Sequence, residues 1–125
     1  MALSAAQFDS SVLAYKIIKQ TITNATANVD VTSESGSLYS IKIVNASSSN
    51  GYVKMTLSEA APTVGTTVPE LMIRANSGET KQWSIPSGLP FTKLSFWCVT
   101  GPTDANTTSP TLSNAAGVTV TLLTS

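Results

Sequence analysis

The feature that most constrains the fold is a series of short runs in which apolar and polar residues alternate. Strict alternation over four to eight residues is typical of half-buried β-strands. Residues 38–45, 53–57 and 118–122 follow this pattern, and glycine, proline, asparagine and serine separate the runs. No long helical stripe follows residue 20. The sequence therefore predicts an all-β protein, a single antiparallel β-sandwich or jelly roll of seven or eight strands.

The chain has 125 residues, a length that suits one domain. We expect residues 21–125 to form the sandwich and residues 1–20 to form either an N-terminal arm or a first strand. The strand is favoured because Leu13, Tyr15 and Ile17 alternate in a stretch rich in isoleucine and threonine. A second alternating face follows, formed by Ala27, Val29 and Val31.

Turn-forming residues predict how the strands connect. Because Asn50-Gly51 tolerates positive φ, residues 38–45 and 53–57 are predicted to pair as a β-hairpin. Prolines interrupt residues 60–70, which are predicted to cross from one sheet to the other.

The second half of the chain repeats the pattern. It predicts a strand at 71–75, a turn at 76–79, and a strand with Lys81, Trp83 and Ile85 on one face that ends at Pro86 and Pro90. Residues 94–99 are apolar on both faces, which predicts a central strand.

Composition excludes several kinds of function. Seven basic and seven acidic residues balance, and Arg74 is the single arginine, so no basic stripe is available for nucleic acid. The chain has no histidine, which removes the commonest general base and metal ligand. No apolar run is long enough to cross a membrane, and the first residues lack the pattern of a secretory signal. We therefore expect no nucleic acid, membrane or small-molecule substrate.

The carboxylates give no sign of catalysis or metal binding. All seven lie in or beside a predicted turn or terminus, where a solvated role is the usual one. Asp104-Ala105-Asn106 comes nearest to a calcium ligand cluster but lacks further carboxylates. The sequence predicts no catalytic residue, no cofactor and no metal.

Three side chains have alternative interpretations. Trp83 and Trp97 could stack on sugar rings, although burial in the core or in a subunit interface is the favoured prediction. Cys98 is in phase with apolar neighbours and is predicted to be a core residue and not a reactive thiol.

Two segments are candidates for partner binding. Residues 101–114 form a polar loop long enough to be a binding element or disordered, and Asp104 and Asn106 are its candidate contact residues. The N-terminal segment, if it is an arm, would dock through apolar residues onto a partner or a neighbouring subunit. These residues are Leu3, Phe8, Val12 and Leu13.

The stretch from Leu38 to Thr100 resembles small virion structural proteins of tailed bacteriophages. The motifs that carry the resemblance are PTVGTTVP at 62–69 and IPSGLPF at 85–91, followed by an apolar strand, a Thr-rich loop and a closing VTVTL strand. The resemblance covers residues 38–124 and not the N-terminal third. It implies a jelly-roll-like domain that decorates, cements or forms fibres on the outside of a capsid, often as a trimer, without catalytic residues.

The resemblance therefore predicts a capsid decoration or cement protein that binds the major capsid protein on the exterior of the virion. Such a protein would be made in the cytoplasm of the bacterial host. The alternative is a tail, baseplate or head-fibre module that binds host glycans. An enzyme is not expected, because the residues above provide no acid and base pair.

Overall fold

The computed structural model of the chain describes residues 15–58 and 61–125. Seven strands make up this part of the chain: β1 (Lys16–Ile22), β2 (Gly36–Asn45), β3 (Gly51–Thr56), β4 (Leu71–Ala75), β5 (Thr80–Phe91), β6 (Ser95–Val99) and β7 (Val118–Thr124). They form a four-stranded sheet in the order β1-β7-β2-β5 and a three-stranded sheet in the order β4-β3-β6. All pairs are antiparallel. The fold is a β-sandwich, which confirms the predicted fold class.

The core lies between the two sheets. Alternate residues of each strand point inward, so Ile41 and Leu122 of the four-stranded sheet belong to the same buried cluster as Val53, Met55 and Phe96 of the three-stranded sheet. The first strand contributes Ile22, which is 3% exposed. β1 extends across the boundary predicted at residue 20, and Leu13 lies outside the described residues.

The predicted hairpin of residues 38–45 and 53–57 is wrong. β2 pairs with β5 and β7, whereas β3 belongs to the other sheet. Gly51 does not adopt a positive φ; instead, a Cβ at this position would lie 3.1 Å from Cys98 Sγ. Alternation of apolar and polar residues predicts that a segment is a strand. The same alternation is expected whether the next strand in the sequence pairs with that strand or lies across the core in the other sheet.

The connection from β3 to β4 was predicted, over residues 60–70, to cross between the sheets, but it joins two strands of the same sheet. The Glu70 N–H donates to the Met55 carbonyl at 2.9 Å and closes the base of this long connection. The prolines prevent a ladder within the loop, but they do not determine where the loop leads.

β5 continues through Pro86 and Pro90 to Phe91, so the predicted break is wrong. β5 is an edge strand, and an edge tolerates proline because one side of its backbone needs no partner. The register shifts where Tyr39 of β2 faces residues 85–88 of β5. Gly88 lies in this bulge and has a positive φ of 77°, which favours glycine. A side chain at this position would also clash, because a Cβ would lie 2.9 Å from the Tyr39 ring.

β6 is not central as predicted, because it lies at an edge of the three-stranded sheet. All five of its residues are nevertheless buried. Residues 27–31 run beside it but form only one bridge, between Asn28 and Phe96, and not the predicted strand. Asp30 and Ser33 have φ values of 47° and 62°, which end the extended conformation. Loops bury the outer face of β6 in place of a second sheet.

The Asn45 side chain joins the two sheets at one end of the sandwich. Its amide nitrogen donates to the carbonyls of Ser49 (2.9 Å) and Ala75 (2.8 Å). Its oxygen accepts hydrogen bonds from the N–H and hydroxyl of Ser47, at 3.0 and 2.6 Å. Asn45 is 1% exposed. One buried side chain therefore fixes both the crossing from β2 to β3 and the end of β4.

Replacing Asn45 with alanine tests this connection. In Asn45→Ala, the buried Ala75 carbonyl and the Ser47 N–H lose this partner, and the part-buried Ser49 carbonyl keeps only the Ser47 hydroxyl. We therefore expect the free energy of unfolding to fall by about 3 kcal/mol. Asn50→Ala is the matched control, because Asn50 is exposed, and it should change stability by less than about 0.5 kcal/mol. Urea unfolding followed by tryptophan fluorescence measures both. Equal, small effects would contradict the role of Asn45.

Candidate functional site

The outer face of the three-stranded sheet is covered by loops. Lys54 and Trp97 are cross-strand partners that point outward from this sheet, yet they are 0% and 1% exposed. Lys54 Nζ donates to the Thr103 carbonyl at 2.6 Å, which places the loop that follows β6 over the sheet. A Cβ on Gly65 would lie 2.5 Å from Thr107 Cγ2, so the connection between β3 and β4 packs against the same loop. These two loops close this side of the sandwich.

Lys54 is an unusual buried cation. Burial lowers the pKa of its ammonium group below the ordinary lysine value, while the negative charge of Asp104 acts in the opposite direction. The sequence analysis did not single out Lys54, which was assigned to the polar face of its strand. The signal that could have identified it is the presence of Trp97 and Val99 on the polar face of β6, because such residues require a cover.

The predicted contact residues of the 101–114 loop have different surroundings. Asp104 is exposed. Asn106 is half-buried, and its side-chain oxygen accepts a hydrogen bond from the Thr108 N–H at 3.1 Å, so part of this side chain holds the loop. The other predicted contact residues lie outside the described residues. They are Leu3, Phe8, Val12 and Leu13.

The outer face of the four-stranded sheet has no covering loop in the described part of the chain, and we call it the open face. It comprises the outward positions of β1, β7, β2 and β5, which align in three cross-strand rows. The rows are Ile17, Leu123, Ser40 and Ser84; Lys19, Thr121, Lys42 and Gln82; and Thr21, Thr119, Val44 and Thr80. The three rows are rich in hydroxyl groups and contain no carboxylate.

Charge and apolar surface are separated along the open face. Lys19 and Lys42 flank Thr121 in the middle row, and two strand spacings put their backbones about 10 Å apart. Ile17 in the first row is 72% exposed. A depression of about 240 Å³ lies between these groups and is lined in part by Ile17, Lys42 and Leu123. Sequence analysis missed this face because it considered each strand alone.

The two tryptophans lie in different environments. Trp97 is buried as predicted, but Trp83 is 41% exposed, so core burial is wrong for Trp83 and burial in a subunit interface stays a prediction. Trp83 is opposite Ile41 on the inward side of β5. The smaller three-stranded sheet does not cover this edge strand. Lys81 Nζ lies 5.9 Å from the centre of the Trp83 ring.

Reactive and titratable groups are dispersed. Cys98 is buried, and burial raises the pKa of its thiol to about 12, so it is not a thiolate near neutral pH. Among residues 15–58 and 61–125, no three His, Cys, Asp or Glu side chains form a group able to hold a metal ion. No helix in that part of the chain has the length and apolarity needed to span a membrane.

Another groove, away from the open face, lies between residues 24–29, 62–64 and 107–109. It has a volume of about 560 Å³, and its lining contains no charged or aromatic side chain. Threonine, serine, asparagine and small apolar residues surround it. Such a lining can form hydrogen bonds but offers no group for acid and base chemistry.

In comparisons with protein-family models, curated proteins and solved structures, nothing matches this chain. The bacteriophage resemblance of residues 38–100 therefore stays a prediction.

The pH dependence of stability tests the buried state of Lys54. Because its pKa is lower in the folded protein, the unfolded chain binds more protons between the two pKa values, and stability rises with pH in that window. We expect the free energy of unfolding of the wild type, relative to Lys54→Met, to increase with pH in the range below 10.5, the ordinary lysine value. Urea unfolding at each pH provides the measurement. Lys42→Met, at an exposed position, is the control. If the difference in the free energy of unfolding between the wild type and Lys54→Met did not change with pH, the lowered pKa of Lys54 would be contradicted.

Proposed function

We propose that this protein is a structural component of a bacteriophage virion, a decoration or cement protein on the exterior of the capsid. In this role it binds the lattice of the major capsid protein and stabilises the head. It is not an enzyme, it uses no cofactor, and it is made in the cytoplasm of the bacterial host. The sequence resemblance of residues 38–100 names the family, and the strand order of the sandwich is the observation that supports it.

The strand order is that of a jelly roll in which residues 27–31, a bridged segment beside β6 and not a full strand, take the place of the second of eight strands. These residues lie beside β6 through the Asn28–Phe96 bridge. If residues 27–31 are position 2, β1 is position 1 and β2 to β7 become positions 3 to 8. In this numbering the four-stranded sheet has the order 1-8-3-6 and the other sheet has the order 2-7-4-5. This is the arrangement of two Greek keys in an eight-stranded jelly roll, an architecture common among viral capsid domains. The same architecture also occurs in lectins, so strand order alone does not select the ligand.

The open face favours the capsid over a small ligand. The depression on this exposed face holds only about 240 Å³. A shallow surface of this kind suits contact with another protein, whereas small-molecule sites are usually larger and more enclosed. We also propose a homotrimer, since threefold positions of a capsid lattice would each accept one closed assembly.

Electron microscopy of the phage whose genome encodes this chain tests the proposal. We expect gold-labelled antibody to decorate heads at regular intervals, and heads lacking the protein to release DNA at a lower temperature. Light scattering of the purified protein should give a mass near 39 kDa, three times 13.0 kDa, if the trimer assembles in solution. Label confined to tails, or absent from virions, would contradict the capsid assignment.

The exposed Trp83 supports a second candidate, a tail, baseplate or fibre module that binds host glycans. Sugar rings stack on exposed aromatic faces, and Lys81, on the same side of β5 as Trp83, can donate a hydrogen bond beside the ring. Trp97 cannot take this role because it is 1% exposed.

Tryptophan fluorescence distinguishes this candidate. If host glycans bind, they should quench the wild-type emission, and Trp83→Phe should abolish the response while leaving the Trp97 signal. Unchanged emission across a panel of host surface polysaccharides would remove the second candidate. Quenching that persists in Trp83→Phe would place the glycan elsewhere.

A further inference from the structure

We propose that the open face is the docking surface for an acidic protein surface. The inference rests on the proposed function for the identity of that partner, which is then the major capsid protein. The proposal specifies which side of the sandwich contacts the capsid and which chemical groups make the contact.

The distribution of ion pairs leaves positive charge on this face. Three of the exposed or half-exposed lysines have a carboxylate within salt-bridge distance; the pairs are Lys16 with Glu34, Lys81 with Glu79 and Lys93 with Asp30. Lys19 and Lys42 have no such partner among the described residues. The open face itself contributes no carboxylate in its three rows. Carboxylates from another chain would therefore complement two unpaired ammonium groups.

An apolar region beside the lysines favours a protein over a phosphate polymer. Ile17 is 72% exposed, and Leu123 is its neighbour in the same row. At the end of β1, Tyr15 is 51% exposed and meets the edge of the Tyr39 ring, with ring centres 5.3 Å apart. Nucleic-acid binding draws mainly on many cations that each meet a phosphate. Two lysines beside aliphatic and aromatic groups match the mixed chemistry of a protein interface.

A second copy of this chain is a poor occupant. Face-to-face packing of two open faces would place Lys19 and Lys42 of one copy near the same lysines of the other. Like charges opposed across an interface disfavour the complex. The exposed acidic residues Glu70 and Asp104 lie outside the open face. The partner is therefore a different chain that supplies its own carboxylates.

The size of the face determines how tightly one copy binds. Four strands and three rows cover roughly 19 by 17 Å, or about 300 Å². A stable complex usually buries about 800 Å² on each partner. One open face thus gives a weak contact, and several faces bound to one lattice give a strong one through avidity.

Charge reversal on the open face tests the proposal. The double variant K19E/K42E and the single variant I17S change only exposed side chains. The matched control K81E/K93E carries the same change in net charge away from this face. Each is compared with the wild type by co-sedimentation with purified heads that lack the protein, across a series of salt concentrations. K19Q/K42Q repeats the test without introducing carboxylates, and thermal unfolding verifies that every variant folds.

We expect K19E/K42E to weaken binding to heads by at least about tenfold at low salt, whereas K81E/K93E should stay within about twofold of the wild type. Wild-type binding should weaken as salt increases, and K19Q/K42Q should lose most of that dependence. I17S should weaken binding at every salt concentration.

The outcomes separate the two proposals. If K19E/K42E and the wild type bind heads equally, the docking face is wrong while the capsid function stands. If the wild type leaves heads bare, both proposals are overturned. A wild-type dimer in solution that K19E/K42E abolishes would replace the acidic partner with a second copy.

Discussion

The hydrogen bonds of Asn45 hold the two sheets of this protein in their relative places. A β-sandwich must repeatedly carry its chain across about 10 Å of core, and each crossing exposes backbone groups that need partners. At one end of the molecule, Asn45 provides those partners for the loop after β2 and for the last residue of β4. The backbone of Asn45 also exchanges hydrogen bonds with the turn that leads into β5, through the Glu79 carbonyl and the Gly78 N–H. Three segments from both sheets therefore depend on one residue.

The two outer faces of the sandwich differ because the loops are distributed unequally. Long connections cover the three-stranded sheet and bury Lys54 and Trp97 beneath them. No loop in the described part of the chain covers the other sheet, so the lysines and Ile17 of the open face are exposed to solvent. In the described part of the chain, the sandwich therefore has one side closed by loops and one side exposed to solvent.

Alternation along the sequence was sufficient to predict an all-β sandwich and the positions of β4 and β7. It could not predict partners, because inward-pointing residues such as Ile43 and Val53 look the same whether their strands pair or face each other. Both faces of β6 are apolar because loops bury its outer face, and not because the strand is central in its sheet. The open face could not be recognised either, since Lys19 and Lys42 become neighbours only when β7 aligns them. Asp104 and Asn106 lie in an irregular loop, as predicted, and their contact with a partner stays a prediction. The buried cation beneath that loop, Lys54, was not foreseen.

The edge strands have a consequence for solubility. An unprotected edge offers free N–H and C=O groups to any other strand, and this is the usual route to aggregation. In β5, Pro86 and Pro90 remove two donors and the bulge at Gly88 twists the strand away from a straight template. β6 has part of its edge occupied by Asn28, and β4 is only five residues long. These features keep three of the edge strands from pairing with strands of neighbouring molecules at high protein concentration.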